Sequence, residues 1–270
     1  MKIEEVILSK DKITRLKMIY WEKRKPRMKG YEWQMEKRPL VLIIPGGGYD
    51  YVSDREADSV SAIFLKNGFQ TAILNYHVKD ESNFKNNLCD IVSAMKYLRE
   101  NKDKYSIDED KIALLGFSAG GHLAAMLSSL YKREDLTGEA SELIKPNLQL
   151  LAYPVLDLKS FVEGKFENVG GIFKQYDKLA DPLANINESI PDTFIFSTFE
   201  DDVVDFRTHL EYIKKLKEYS IHTEYHLFEK GYHGLATGDD LTNYGRDYER
   251  RDSMWMDILI SYLNRKFELI

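Results

Sequence analysis

Cysteine is almost missing from this chain: Cys89 is the only one in 270 residues. No internal disulfide can form, so the composition gives no hint of secretion. Cys89 falls in a helical pattern with Leu88, Ile91, Val92, Met95 and Leu98, where it is expected to pack as a small apolar residue. A leader-type apolar segment is lacking as well, because residues 1–20 alternate charged and apolar side chains. No apolar run approaches the length needed to span a bilayer. The default expectation is a soluble cytoplasmic protein without a membrane partner. Excess positive charge is lacking too: the formal net charge is -6, which argues against nucleic acid as a partner. The local exception is the basic run Lys23-Arg24-Lys25-Pro26-Arg27-Met28-Lys29. Its plain reading is a charged loop between two early strands, with Pro26 and Gly30 forming turns; a nuclear signal or polyanion patch is the rival. Internal repeats, low-complexity tracts and an interdomain linker are also missing.

What is present alternates. Residues 2–8 and 13–20 read as two antiparallel strands, and 40–44 as a buried strand ended by Pro45 and three glycines. A helical pattern over 56–67 stops at Gly68, followed by a strand over 70–75 and an amphipathic helix over 86–100. Strands over 111–115, 148–152, 193–197 and 223–228 follow, with helices to about residue 130, over 206–219 and over 252–267. Such alternation predicts an α/β fold, a mostly parallel sheet covered on both faces. A chain of 270 residues suits one domain, 1–270. Two connections are long, 157–190 and 231–251, and the first is the expected place for a small cap.

The pentapeptide Gly116-Phe117-Ser118-Ala119-Gly120 lies between the strand 111–115 and a helix. A G-x-S-x-G motif in strand–turn–helix context is the requirement for a nucleophile elbow. A serine hydroxyl needs a base within hydrogen-bond reach and a third group to orient that base. His233 follows the strand 223–228, and Asp201 follows the strand 193–197. All three therefore sit beyond carboxyl ends of parallel strands, where open α/β sheets place their sites. Glu200, Asp202 and Asp205 compete with Asp201, because one residue of register decides which acid points inward. Pro45-Gly46-Gly47-Gly48-Tyr49 also follows a strand, and its Gly47 and Gly48 N–H groups, with that of Ala119, are candidates for an oxyanion hole.

Among the other histidines, His122 reads as a neutral packing residue in the first helical turn, where the dipole disfavours a cation. His77 is a candidate for the pocket edge. His209, His222 and His226 do not follow a strand end in the manner of a base. Tyr49, Tyr153 and Tyr232, with Tyr51, are candidate pocket residues. Metal-ligand spacing such as H-x-x-x-H is missing, so no metal and no cofactor are expected.

These motifs carry a resemblance. Pro45-Gly-Gly-Gly-Tyr49, Gly116-Phe-Ser-Ala-Gly-Gly-His122, Asp201-Asp-Val-Val204, Tyr232-His-Gly-Leu235 and Ala180-Asp-Pro-Leu183 make the chain similar to α/β-hydrolases of the small esterase/lipase type. It most resembles acetyl-esterase and acetyl-xylan-esterase-like proteins, over about residues 40–263. Two positions depart from the family pattern: Pro45 stands where many relatives carry histidine, and Asp205 where proline is common. The resemblance implies a serine esterase for short-chain acyl esters, acetyl esters of sugars or oligosaccharides above all, with a small-molecule ester as its partner. A peptidase or acyltransferase using the same triad is the alternative, with a non-catalytic binding protein of this fold behind it. Whether the chain forms a homo-oligomer is left open.

Overall fold

The computed structural model describes residues 1–22, 37–245 and 249–269. The basic run 23–29 lies outside them. The strands are β1 (Lys2–Ile7), β2 (Arg15–Tyr20), β3 (Arg38–Ile44), β4 (Gln70–Asn75), β5 (Ile107–Phe117), β6 (Leu148–Ala152), β7 (Thr193–Thr198) and β8 (Thr223–Phe228). The six longer helical stretches among the described residues are α1 (Asp58–Lys66), α2 (Phe84–Glu100), α3 (Ala119–Leu130), α4 (Leu158–Glu163), α5 (Phe206–Glu218) and α6 (Met254–Lys266). The strands form one sheet in the order β1-β2-β4-β3-β5-β6-β7-β8. β1–β2 and β2–β4 pair antiparallel, and every later pair is parallel.

The apolar strands sort their side chains to the two faces with period two. Leu40, Leu42 and Ile44 of β3 join Ile112 and Leu114 of β5 in a core under α2, α3 and α5. Val41 and Ile43, with Ala113, Leu115 and Phe117, enter the opposite core against α1 and α6. There the Trp255 ring of α6 stacks on Phe196 of β7 at 4.6 Å. The registers Ile44↔Gly116, Phe117↔Ala152 and Ala152↔Phe196 bring the carboxyl ends of β3, β5, β6 and β7 to one rim. The connections that leave this rim carry the candidate site residues.

Three local expectations need correction. Cys89 is exposed. On α2 the buried residues are Asn87, Leu88, Asp90, Ile91, Val92, Ala94, Met95, Leu98 and Arg99, and residue 89 falls on the opposite side of the turn. The helical pattern from 56 begins instead as a 3₁₀ turn (Asp54–Glu56), with α1 starting at Asp58. The Glu56 side chain therefore turns inward and is only 4% exposed. His77 is buried, 7% exposed, between two carboxylates. Its Nδ1 lies 2.8 Å from Asp90 Oδ1 and its Nε2 3.1 Å from Asp11 Oδ2.

Asp90 also accepts from the Thr14 hydroxyl (2.6 Å) and the His77 backbone N–H (2.8 Å), so it ties the β1–β2 hairpin, the end of β4 and α2 together. Burial pulls the His77 pKa down, but the Asp90 and Asp11 carboxylates outweigh it and leave the value raised. A raised histidine stabilises the fold fully below its unfolded value, about 6.5, and loses that contribution as pH rises through the folded value. His77→Gln is thus expected to cost about 1.5–3 kcal/mol at pH 6 and clearly less at pH 9, by urea unfolding. Equal losses at both pH values would show that charge on His77 contributes nothing.

Candidate active site

Ser118 sits at the turn between β5 and α3 with φ 51° and ψ −113°. That conformation is rare for a non-glycine residue and costs of order 1–3 kcal/mol, held in place by its surroundings. The two flanking glycines show why the motif is fixed. A Cβ on Gly120 would lie 2.0 Å from the Ile44 carbonyl oxygen, and one on Gly116 would lie 2.3 Å from the Gly120 carbonyl oxygen. Only hydrogen at both positions lets α3 close onto β3 and β5. The Ser118 N–H donates to the Ala152 carbonyl at 3.0 Å, which locks the turn to the end of β6.

His233, on the loop after β8, faces this serine. Its Nε2 is 2.8 Å from Ser118 Oγ, and its Nδ1 is 2.8 Å from Asp201 Oδ2. The carboxylate acceptor keeps the ring proton on Nδ1, so the Nε2 lone pair is left to accept the serine proton. The Asp201 side chain is 1% exposed. Its other oxygen accepts the Val203 and Val204 N–H groups at 3.0 and 2.9 Å. The competing acids lie elsewhere: Glu200 and Asp202 are exposed, and Asp205 caps α5 by accepting from the Arg207 N–H at 2.9 Å.

The histidine loop is pinned from below. The Ala236 N–H donates to the Tyr153 hydroxyl (2.9 Å), and the Ala236 carbonyl accepts from Trp255 Nε1 (3.1 Å). Those bonds hold Ala236 at φ 52°. The Tyr153 ring also meets the His233 ring edge-on at 5.1 Å.

The glycine loop closes the third side. The Gly46 N–H donates to Glu56 Oε2 at 2.6 Å. Gly47 and Gly48 have φ 121° and 63°. Their carbonyls are occupied, Gly47 by the N–H groups of Asp50 and Tyr51 and Gly48 by that of Gly170. Among the described residues, no protein acceptor takes the N–H of Gly47, Gly48 or Ala119. A Cβ on Gly46 would be 3.0 Å from Ser118 Cβ, so this loop abuts the serine. Amides in this position can hold an oxygen that gains charge as the serine attacks a carbonyl.

The expected pocket tyrosines need revision. Tyr49 is 0% and Tyr153 1% exposed, so neither offers surface to a substrate. Tyr49 lies beneath the glycine loop. Its hydroxyl meets His122 Nδ1 at 2.8 Å and its ring stands edge-on to Phe173 at 4.8 Å. A large aromatic following three glycines is as useful under a loop as on it, and spacing does not separate the two. Burial pushes the His122 pKa down to about 3, so this imidazole is neutral. Tyr232 keeps partial exposure, and its hydroxyl donates to Asn243 Oδ1. Tyr51 stands at the lip instead: it is 59% exposed, with a ring carbon 3.2 Å from where a Cβ on Gly47 would sit.

Glu56 is the residue that sequence reading passed over. An acid at the start of a helix is what the helix dipole favours anyway, so nothing marked it. Among the described residues, no group of His, Cys, Asp and Glu side chains is arranged to hold a metal ion. No helix is long and apolar enough to cross a membrane, again among the described residues. A groove of about 580 Å³ along β8 and residues 249–258 contains none of Ser118, Asp201 and His233.

Residues 31–216 match the family model described as BD-FAE. The chain is 28% identical over 212 residues to an endo-1,4-beta-xylanase B of Butyrivibrio fibrisolvens, an alignment covering 76% of this chain and 33% of that protein. It is 24% identical over 207 residues to an acetylxylan esterase of Xylanibacter ruminicola, covering 73% of this chain and 41% of that protein. The chain therefore spans between a third and two fifths of the length of these curated relatives. A solved structure, MGS-M1, an alpha/beta hydrolase enzyme from a Medee basin deep-sea metagenome library, superposes with a TM-score of 0.80. It is 30% identical, with 99% of this chain and 98% of that chain covered.

Proposed function

Because this chain belongs to the BD-FAE family and has the α/β-hydrolase fold, we propose that it is a serine carboxylic-ester hydrolase. Its substrates are short acyl esters, chiefly acetyl esters of sugars or oligosaccharides, turned over through an acyl-enzyme. The observation that carries this reading is the relay in which His233 Nε2 meets Ser118 Oγ at 2.8 Å while Asp201 holds Nδ1. Ser118 Oγ attacks the ester carbonyl as its proton passes to His233 Nε2. The N–H groups of Ala119 and of Gly47 or Gly48 hold the tetrahedral oxyanion. The imidazolium, stabilised by Asp201, gives its proton to the leaving alcohol and leaves acetyl on Ser118. Water then attacks, with His233 as base, and acetate departs.

The acyl chain is limited by what lies over the glycines. Segment 157–190 serves as a small cap. A Cβ on Gly48 would be 3.4 Å from the Asn168 carbonyl oxygen and 3.6 Å from Val169 Cγ1. Room beside the oxyanion site is thus limited, which favours a small acyl group. The acetylxylan esterase among the relatives supports the sugar-ester assignment.

The test is a panel of p-nitrophenyl esters of two to eight acyl carbons, with peptide p-nitroanilides alongside. Acetate should exceed octanoate in kcat/KM by at least about tenfold, the discrimination a pocket wall gives per misplaced methylene. The anilides should be untouched. Preferential cleavage of octanoate would overturn the short-acyl assignment, and efficient anilide cleavage the esterase one.

A further inference from the structure

We propose that Glu56 is a positioning residue for this site: it holds the glycine loop and the histidine loop in mutual register on either side of Ser118. The inference rests on the ester-hydrolase reading above and extends it to a residue outside the triad.

Glu56 is 4% exposed, and both of its oxygens are engaged. Oε2 accepts the Gly46 N–H at 2.6 Å. Oε1 accepts the Tyr153 hydroxyl at 2.7 Å, and that hydroxyl accepts the Ala236 N–H at 2.9 Å. Donor direction is consistent along the whole chain, Ala236 N–H to Tyr153 O–H to Glu56, with Gly46 N–H arriving from the other side. One carboxylate thus links the peptide just before Gly47 and Gly48 to the loop that carries His233. The neighbouring Arg55 acts across the same gap. Its guanidinium donates to the Gly234 carbonyl at 2.9 Å, to Asn243 Oδ1 at 2.7 Å and to the Thr242 carbonyl at 2.7 Å. A single 3₁₀ turn therefore grips both catalytic loops.

Burying a carboxylate is costly, and a structural tie could have used a neutral group. Burial raises the Glu56 pKa, while the Tyr153 and Gly46 hydrogen bonds and the nearby His233 and Arg55 charges oppose it. The titratable groups facing it are Arg55 on its own turn, Tyr153 and Tyr76 from the strand ends, and His233 from the loop. Two acceptors facing two donors is a task for a carboxylate. Glutamine offers one acceptor and leaves Gly46 N–H or Tyr153 O–H unsatisfied. A negative charge here also favours the imidazolium that forms when Ser118 gives up its proton.

The experiment compares wild type, Glu56→Gln, Tyr153→Phe and Ser118→Ala on p-nitrophenyl acetate from pH 5 to 9, with thermal melting to establish folding. Glu56→Gln should lose roughly 10–100-fold in kcat, below the ~10²–10³ for outright removal of an oxyanion donor. KM should stay within about threefold. The acid limb of its kcat/KM profile should move to lower pH, because a charge that favours the protonated base is gone. Tyr153→Phe keeps that charge and cuts the tie to Ala236, so it should lose roughly 3–10-fold in kcat with the acid limb unmoved. Wild-type kcat and an unmoved acid limb in a folded Glu56→Gln would overturn the proposal. If Glu56→Gln does not fold, wild-type kcat in Tyr153→Phe overturns it on its own. Undiminished turnover in Ser118→Ala would instead overturn the ester-hydrolase reading, and the role of Glu56 with it.

Discussion

Ser118→Ala should lower kcat for p-nitrophenyl acetate by roughly 10⁴-fold or more, as removal of the nucleophile does in serine triads. The expectation follows from the division of labour at the site. The variant keeps the Ala119, Gly47 and Gly48 amides, so it is expected still to bind ester and to stabilise some charge on the carbonyl oxygen. It has no oxygen to form the acyl-enzyme, and hydrolysis falls back on direct attack by water. Residual turnover above background is therefore expected, and KM should move little. The substitution removes one hydroxyl at a position whose backbone is held by Ala152, His122 and Val155, so the fold should survive. Fluorophosphonate labelling checks the same point without a substrate: wild type should be modified and the variant should not. Labelling of the variant at the wild-type rate would place the nucleophile elsewhere.

Asp201→Asn is expected to cost about 10³–10⁴-fold in kcat. One oxygen of Asp201 anchors the segment through the Val203 and Val204 N–H groups, and the other faces His233 Nδ1. An amide keeps the anchor by leaving its oxygen on the backbone side. Its NH₂ then points at Nδ1 and favours the tautomer whose proton sits on Nε2, the nitrogen that must accept from Ser118. The loss is thus one of tautomer and charge, not of shape. Glu200→Gln and Asp202→Asn, at exposed positions on the same loop, should stay within about twofold of wild type, as surface changes away from a site usually do. Kinetics of the three single variants checks the assignment. A large loss in Asp202→Asn with none in Asp201→Asn would reverse it.

The strands were legible wherever apolar runs met glycine or proline punctuation. β4, β6 and β8 occupy 70–75, 148–152 and 223–228, the bounds read from pattern alone. Placement of Ser118, Asp201 and His233 on one rim follows from each standing just past a parallel strand, and topology then brings them within hydrogen-bond distance. Side-chain direction was harder. A tyrosine beside a functional loop can face the substrate or the core, and Tyr49 and Tyr153 face the core. Which histidine pairs with a distant acid depends on contacts 13 and 66 residues apart at His77, beyond any local pattern. Glu56 was invisible for the same reason: its partners lie 10 and 97 residues away.

The indole of Trp255 donating to Ala236 has a temporal consequence. On a ribosome the chain emerges from its amino end, and Ser118 and Asp201 precede this tryptophan by more than fifty residues. His233 also precedes it, but the indole bond to its loop does not exist until α6 has left the exit tunnel and docked on the sheet. A nascent polypeptide therefore carries Ser118, Asp201 and His233 before the indole bond to the histidine loop can form, and that bond awaits synthesis of α6.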